Sequence, residues 1–386
     1  MLGERHGTSD ARAALVTGQP RFAAQFPIRP FTLHVPDAAL ADLRERLART
    51  RFPDEPPLPV WSSGTSLDYM RELVVEWRER FDWRAHEARI NRFRQFKLSL
   101  HGIELHFIHE PSRSSSAMPL LVSHGWPGSI VEFLELIPLL TEHFTVVAPS
   151  LPGYTLSFTP GQPRFGTEEI ADCFAELMTT LGYERFGVQG GDWGAFIGSR
   201  LAACYPQRVL GLHLNLLAVR RDPKIAATTP EEAEYLRHLA HWLKEETGYQ
   251  AIQGTKPQTL AYALTDSPAG LAAWIAEKFR TWSDGGIARE DLLANVSLYW
   301  FTGAIGSSFW PYHARLHRPW PVETVGVPTG YAEFPKEILR PPRSLAEKTY
   351  TDIRRWSVMP RGGHFAALEE PRALAGEISA FFSALR

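Results

Sequence analysis

Asp192 stands in Gly190-Gly191-Asp192-Trp193-Gly194, which has the form of a nucleophile elbow, G-x-Nuc-x-G, with aspartate in the position more often held by serine. A carboxylate at such a turn attacks an sp³ carbon and leaves an ester on the enzyme, whereas serine attacks acyl carbonyls. Epoxides and alkyl halides are the substrates this residue type points to. The nucleophile requires an acid and a histidine further along the chain. Of fourteen histidines, His364 in Arg361-Gly362-Gly363-His364-Phe365 has the right position, on a glycine loop after a late strand that can carry it back over the elbow. Two carboxylates of Tyr331-Ala332-Glu333-Phe334-Pro335-Lys336-Glu337 could orient its imidazole, and spacing does not choose between Glu333 and Glu337. His124-Gly125-Trp126-Pro127-Gly128-Ser129 follows the apolar run Leu120-Leu121-Val122. A loop there supplies one N–H of an oxyanion hole, and the residue after the nucleophile supplies the second. Those amides are assigned to Trp126 and Trp193.

These groups converge only if particular elements carry them. Residues 185–189 read as a short strand and 195–203 as a small, apolar helix packed closely on a sheet, so strand, turn and helix come in the order an elbow needs. Strands are also expected at 96–100 and 103–108, a hairpin about His101-Gly102, and at 119–123 and 144–148, with a helix at 130–140 between the last two. This alternation implies a mostly parallel sheet with helices on both faces. After a strand at 209–215 the alternation stops. Residues from about 221 to 318 read as helices, including 257–263, 270–280 and 292–302, an insertion suited to a lid over the strand C-termini. Strands resume at 324–328 and 356–359, and a helix at 371–384 closes the chain. Ahead of the sheet, helical segments at 37–51 and 67–81 and several tryptophans suit a meander anchored on another surface. The chain thus divides into an N-terminal arm packed on the core (1–94), a first part of the core (95–220), a helical cap (221–318) and a second part of the core (319–386).

Composition narrows the partners. The 386 residues are 44% hydrophobic and 22% charged, with a net charge of -2, the profile of a soluble globular protein. No basic stripe interleaved with aromatics appears, so a nucleic-acid partner is not expected and a small molecule is. The first twenty residues are polar, with Arg5 and Arg12, and hold no apolar run suited to a signal peptide or membrane span. Cytoplasmic residence follows as the expectation. Cys173 and Cys204, without metal-ligand spacing, are expected as buried thiols, and neither a metal nor a cofactor is expected. The oligomeric state stays open, a homodimer included.

With these residues the chain as a whole resembles the microsomal-type epoxide hydrolases of the α/β-hydrolase fold. The likeness runs from about Phe26 to near the C-terminus. It rests on His124-Gly-Trp-Pro127, Gly191-Asp-Trp-Gly194, Gly248-Tyr249 with Ile252-Gln-Gly-Thr-Lys-Pro257, Asp266-Ser-Pro268, Val327-Pro-Thr-Gly330 and Gly362-Gly-His-Phe-Ala366. The resemblance implies conversion of an epoxide to a vicinal diol through a covalent ester on Asp192, with Glu337 as the triad acid. It also implies two lid tyrosines that hold the epoxide oxygen, at Tyr249 and Tyr312, although Trp310-Pro-Tyr-His313 diverges locally from the family pattern. Membrane-bound relatives carry an anchor helix where this chain has a polar tail, so attachment is not carried over. Two other readings share the elbow. A haloalkane dehalogenase would use Trp126 and Trp193 as a halide cradle in place of phenols, and a catalytically silent member would only bind. Abundant arginine and alanine suit a bacterial enzyme of secondary metabolism, with a xenobiotic or lipid epoxide as the other candidates.

Overall fold

The computed structural model describes residues 27–112, 114 and 117–385, so the polar tail lies outside the described residues. Among the described residues nine strands form one sheet: β1 (Arg29–Phe31), β2 (Gln95–Leu100), β3 (Ile103–Glu110), β4 (Met118–Ser123), β5 (Phe144–Pro149), β6 (Phe186–Gly190), β7 (Val209–Leu214), β8 (Thr329–Glu333) and β9 (Ile353–Val358). Their spatial order is β1-β2-β3-β5-β4-β6-β7-β8-β9. The first three strands join antiparallel to one another and to β5, and the rest of the sheet is parallel.

Successive side chains of a strand point to opposite faces, and here both faces are buried. Leu121, Val147 and Val188 enter one core with Phe174 of helix Thr167–Thr180 and Ile197 of helix Trp193–Cys204. Leu120, Val122, Val146 and Ala148 enter another with Ile137 of helix Leu136–Leu140 and Ile378 and Phe382 of helix Pro371–Ser383. Helices therefore cover both sides, the α/β-hydrolase arrangement the sequence implies.

Between β7 and β8 the chain forms helices Pro230–Glu245, Gly248–Thr255, Pro257–Asp266, Pro268–Thr281, Arg289–Thr302 and Trp310–His317. The N-terminal helices Asp37–Ala48, Leu67–Glu79 and Trp83–Ile90 lie against these helices. Trp77 Nε1 donates to Ser297 Oγ at 3.0 Å, Arg289 pairs with Glu72 and Glu76, and Arg89 with Asp291. The buried indole anchors the arm on helix Arg289–Thr302, which itself reaches the candidate site.

Several expected elements differ. The strand expected at 324–328 is only a single bridge, Val325 to Tyr350, and the ladder begins at Thr329. A glycine and two small residues in Thr329–Glu333 hide a strand from its composition, yet Gly330 is required because a Cβ there would lie 2.7 Å from Phe381. The final strand begins three residues before 356, at Ile353. The helix expected at 130–140 splits into a 3₁₀ turn, Ile130–Phe133, and helix Leu136–Leu140. The restart puts Pro138 in a first turn, where its missing N–H costs nothing. Cys173 is buried as expected, but Cys204, at the end of its helix, is exposed. No helix among the described residues is long and apolar enough to cross a membrane.

Candidate active site

Asp192 closes β6 onto helix Trp193–Cys204 with φ 45° and ψ -127°, a conformation that costs a non-glycine residue about 1–3 kcal/mol. Its neighbours show why glycine surrounds it. A Cβ at Gly190 would sit 2.3 Å from the Gly194 carbonyl oxygen, and one at Gly194 would sit 2.1 Å from that of Ser123. The strand, the turn and the adjoining β4 touch backbone to backbone.

Ser123 pairs with Gly190 across the parallel ladder, so the loop after β4 emerges beside the elbow. A Cβ at Gly125 would fall 2.2 Å from Asp192 Oδ1, and with none there the Trp126 N–H donates to that oxygen at 2.8 Å. His124 braces the loop: its Nε2 accepts from the Leu151 N–H at 3.1 Å, and its Nδ1 lies 3.0 Å from the Gly125 carbonyl. Burial pushes this imidazole down to about 4, which keeps it neutral. From helix Arg289–Thr302, Asn295 Nδ2 donates to the Pro127 carbonyl and the Tyr299 hydroxyl to that of Gly128, both at 2.8 Å. The Trp126–Pro127 bond is cis. Trp193 is the first residue of its helix, so its N–H has no intrahelical acceptor.

A parallel bridge between Lys336 and Gly363 sets the loops after β8 and β9 side by side. His364 Nδ1 lies 2.7 Å from Glu337 Oε1, and Nε2 lies 3.5 Å from Asp192 Oδ2. Glu337 also accepts from the Ile338 N–H at 2.7 Å, while its Oε2 is buried without a partner. Glu333 turns away, accepting from Trp356 Nε1 at 3.0 Å. The Glu337 side chain is 0% exposed and that of His364 2%, against 18% for Asp192. Burial works against an imidazolium here, but attraction to Glu337 and hydrogen bonding to Asp192 and Glu337 outweigh it and push His364 up to about 10.

Tyr249 and Tyr312 face the elbow from helices Gly248–Thr255 and Trp310–His317. Trp126 stacks on Tyr249 with ring centres 5.4 Å apart, Trp193 meets Tyr312 edge to face at 4.8 Å, and the two phenol rings are 5.7 Å apart. Burial, reinforced by the charge of Asp192, holds both phenols well above their ordinary value, so both are protonated. They line a cavity of about 400 Å³ with Asp192, Trp193, Phe196 and Ile338. A second, polar cavity, with about 20 Å³ open to the centre of a water molecule, is lined by Asp192, His364, Ser123, Gln189, Asn215 and Glu132. Among the described residues Asp192 alone lines both.

Four further groups were not marked by any sequence pattern: Asn295, Tyr299, Glu132 and Trp282. Glu132 turns its carboxyl into the small cavity, where burial pushes it up to about 8. Trp282 accepts from the His364 N–H at 2.9 Å through its carbonyl, with its ring 5.4 Å from that of Tyr249. All act across long sequence separations, which no local motif records.

The chain matches two family models, "Epoxide hydrolase N terminus" over residues 28–133 and "alpha/beta hydrolase fold" over 118–283. It is 38% identical over 405 residues to Epoxide hydrolase 1 of Oryctolagus cuniculus, covering 92% of this chain and 88% of that one. The epoxide hydrolase structure of Aspergillus niger superposes with a TM-score of 0.84 at 32% identity, over 94% of this chain and 99% of that chain. The juvenile hormone epoxide hydrolase of Bombyx mori gives 0.85 at 32%, over 94% and 95%.

Proposed function

The chain belongs to the epoxide hydrolase family of the α/β-hydrolase fold, and we propose that it opens its epoxide through a covalent ester on Asp192. One observation carries this reading: among the described residues Asp192 is the only one common to the two cavities, so the oxirane and the hydrolytic water can reach it from different sides. Oδ1 is engaged by the Trp126 N–H, which leaves Oδ2 to attack an epoxide carbon. The carbon–oxygen bond breaks and the departing oxygen takes a proton from Tyr249 or Tyr312. A halide leaving group would need no proton, so two buried, protonated phenols favour an epoxide.

Ester formation also removes the Asp192 charge. Each phenol then becomes a stronger acid as the alkoxide appears, and His364 loses part of what raised it. The imidazolium proton replaces the one the phenol gave up. Neutral His364 takes a proton from a water, and hydroxide adds to the Asp192 carbonyl carbon. The Trp126 and Trp193 amides hold the oxyanion. The small cavity suits that water, having room for about one and offering Ser123 Oγ and Gln189 Oε1, which have no protein partner. When the ester bond breaks, the alkoxide takes the proton from His364. The carboxylic acid left at Asp192 returns its own to His364, restoring the resting charges. A reducing, cytoplasmic setting fits the free thiols Cys173 and Cys204, and the arginine- and alanine-rich composition supports bacterial secondary metabolism.

The test is one turnover in heavy-oxygen water with enzyme in excess. The first diol should carry light oxygen at its new hydroxyl, taken from Asp192. Label in that first diol would mean water attacked the epoxide directly, and the scheme would fall.

A further inference from the structure

Resting on that reading, the large cavity also bears on what else the substrate carries. Two partly buried arginines, Arg221 and Arg315, line it, and neither has an ion pair or hydrogen bond among the described residues. Two other partly buried arginines, by contrast, are paired, Arg89 with Asp291 and Arg355 with Glu377. Both cations lie over aromatic rings. Arg221 lies 4.9 Å from the centre of the Trp242 ring and 5.9 Å from that of Phe196, and Arg315 lies 4.0 Å from that of Trp320. A guanidinium stacked on a ring keeps its in-plane N–H groups free for a carboxylate. Burial and repulsion from Arg221 and Arg220 outweigh attraction to Glu168 and push Arg315 down to about 10, still charged at neutral pH.

An apolar path joins these cations to the nucleophile. Trp193 follows Asp192, its ring is 5.3 Å from Phe196, and Phe196 is 5.7 Å from Trp320. Leu243, Leu316, Ala251 and Ile338 add to the apolar lining. We propose that Arg221 and Arg315 form an anion subsite, and that the preferred substrates are epoxides bearing a carboxylate separated from the oxirane by a hydrocarbon spacer of several carbons. The carboxylate neutralises both cations at one end while the oxirane meets Asp192 and the two phenols at the other.

The test compares a medium-chain ω-epoxyalkanoic acid with its methyl ester, which keeps the spacer and oxirane but lacks the charge. For the unmodified enzyme the ratio of kcat/KM, acid over ester, should be on the order of tenfold or more, the usual worth of hydrogen bonds to a charged group. Added potassium chloride should lower kcat/KM for the acid and leave that for the ester unchanged. Arg221→Gln and Arg315→Gln should each reduce the ratio and together bring it near one, while Arg315→Lys should retain part of it. Because the ratio is taken within one preparation, a general loss of activity in a variant cancels. A ratio of one or less in the unmodified enzyme, or an unchanged ratio in the double variant, overturns the anion subsite while leaving the hydrolase reading intact. No turnover of either compound or of styrene oxide would remove that reading and the subsite with it.

Discussion

Replacing Glu337 by glutamine keeps the shape of the side chain and removes its charge. Its Oε1 lies 2.7 Å from His364 Nδ1 with both side chains out of solvent. At an effective dielectric constant of ~20, unit charges at that separation attract by roughly 6 kcal/mol, an upper bound because both charges are delocalised. At about 1.4 kcal/mol per pH unit, that lowers His364 by up to about four units, from about 10 to near the ordinary histidine range. A weaker base slows only the step that uses it, and with roughly half of the change expressed in the transition state, ester hydrolysis should slow ~100-fold. Alkylation should not slow, since Asp192 loses a cationic neighbour. The ester should therefore accumulate. Acid quenching during turnover followed by intact-mass measurement should find nearly all Glu337→Gln protein carrying the mass of the epoxide, and a smaller fraction of the unmodified enzyme. The new amide N–H₂ replaces Oε2, which is buried without a partner, so a stability loss of about 1–3 kcal/mol should appear in urea titration. A fall in kcat with no adduct would refute the reasoning, because the charge would then serve alkylation.

The phenols should give the opposite signature. Tyr249→Phe and Tyr312→Phe should each slow alkylation, and the pair together by roughly 10²- to 10⁴-fold, with no adduct at any time in the same quench. Gly125→Ala puts a methyl group on the Asp192 carboxylate and should cost about 10²- to 10³-fold in kcat, as for a lost oxyanion donor, with far-UV circular dichroism unchanged. His364 is raised in the folded state, so it binds a proton more tightly than in the unfolded chain. The stability it contributes is complete below about pH 6.5 and lost as pH rises towards about 10. Thermal melts from pH 6.5 to 10 should fall more steeply for the unmodified protein than for His364→Gln, and parallel curves would contradict the assignment.

The elbow was legible because its requirements are local: a strand, a two-residue turn at Gly191 and Asp192, glycines at 190, 191 and 194 where a Cβ would clash, and a helix. The choice between Glu333 and Glu337 was not local. It depends on the Lys336–Gly363 bridge, which joins loops from two strands and turns Glu337 towards His364 while Glu333 meets Trp356. The strand at Thr329–Glu333 was missed for the same kind of reason. Its glycine opposes strand propensity, and only the position of Phe381, some fifty residues later, explains it. The apolar 324–328 segment looked the better strand because composition reports burial more readily than hydrogen bonding. Asn295 and Tyr299 lay inside a stretch legible as a helix, but nothing in one chain indicates which side of a buried helix meets the Pro127 and Gly128 carbonyls.

The charges of the site suggest why so few groups suffice. At rest Asp192 is shared by a cation and two phenols, and it opposes deprotonation of all three. Such a site is a poor general base and a poor general acid, which protects it from idle proton exchange while the cavity holds no epoxide. In the proposed mechanism, alkylation would cancel the one charge common to every partner, so acid and base would be released together by the bond that creates the need for them. No movement of the cap is required for this coupling, because Asp192 faces both cavities at once. The coupling would fail if the nucleophile were neutral at rest. Asp192→Asn should thus abolish alkylation and also lower the pH at which His364 titrates, a shift readable by nuclear magnetic resonance of the imidazole in the absence of substrate. An unchanged titration would mean that Glu337 alone sets the charge of His364, and that the ester releases nothing.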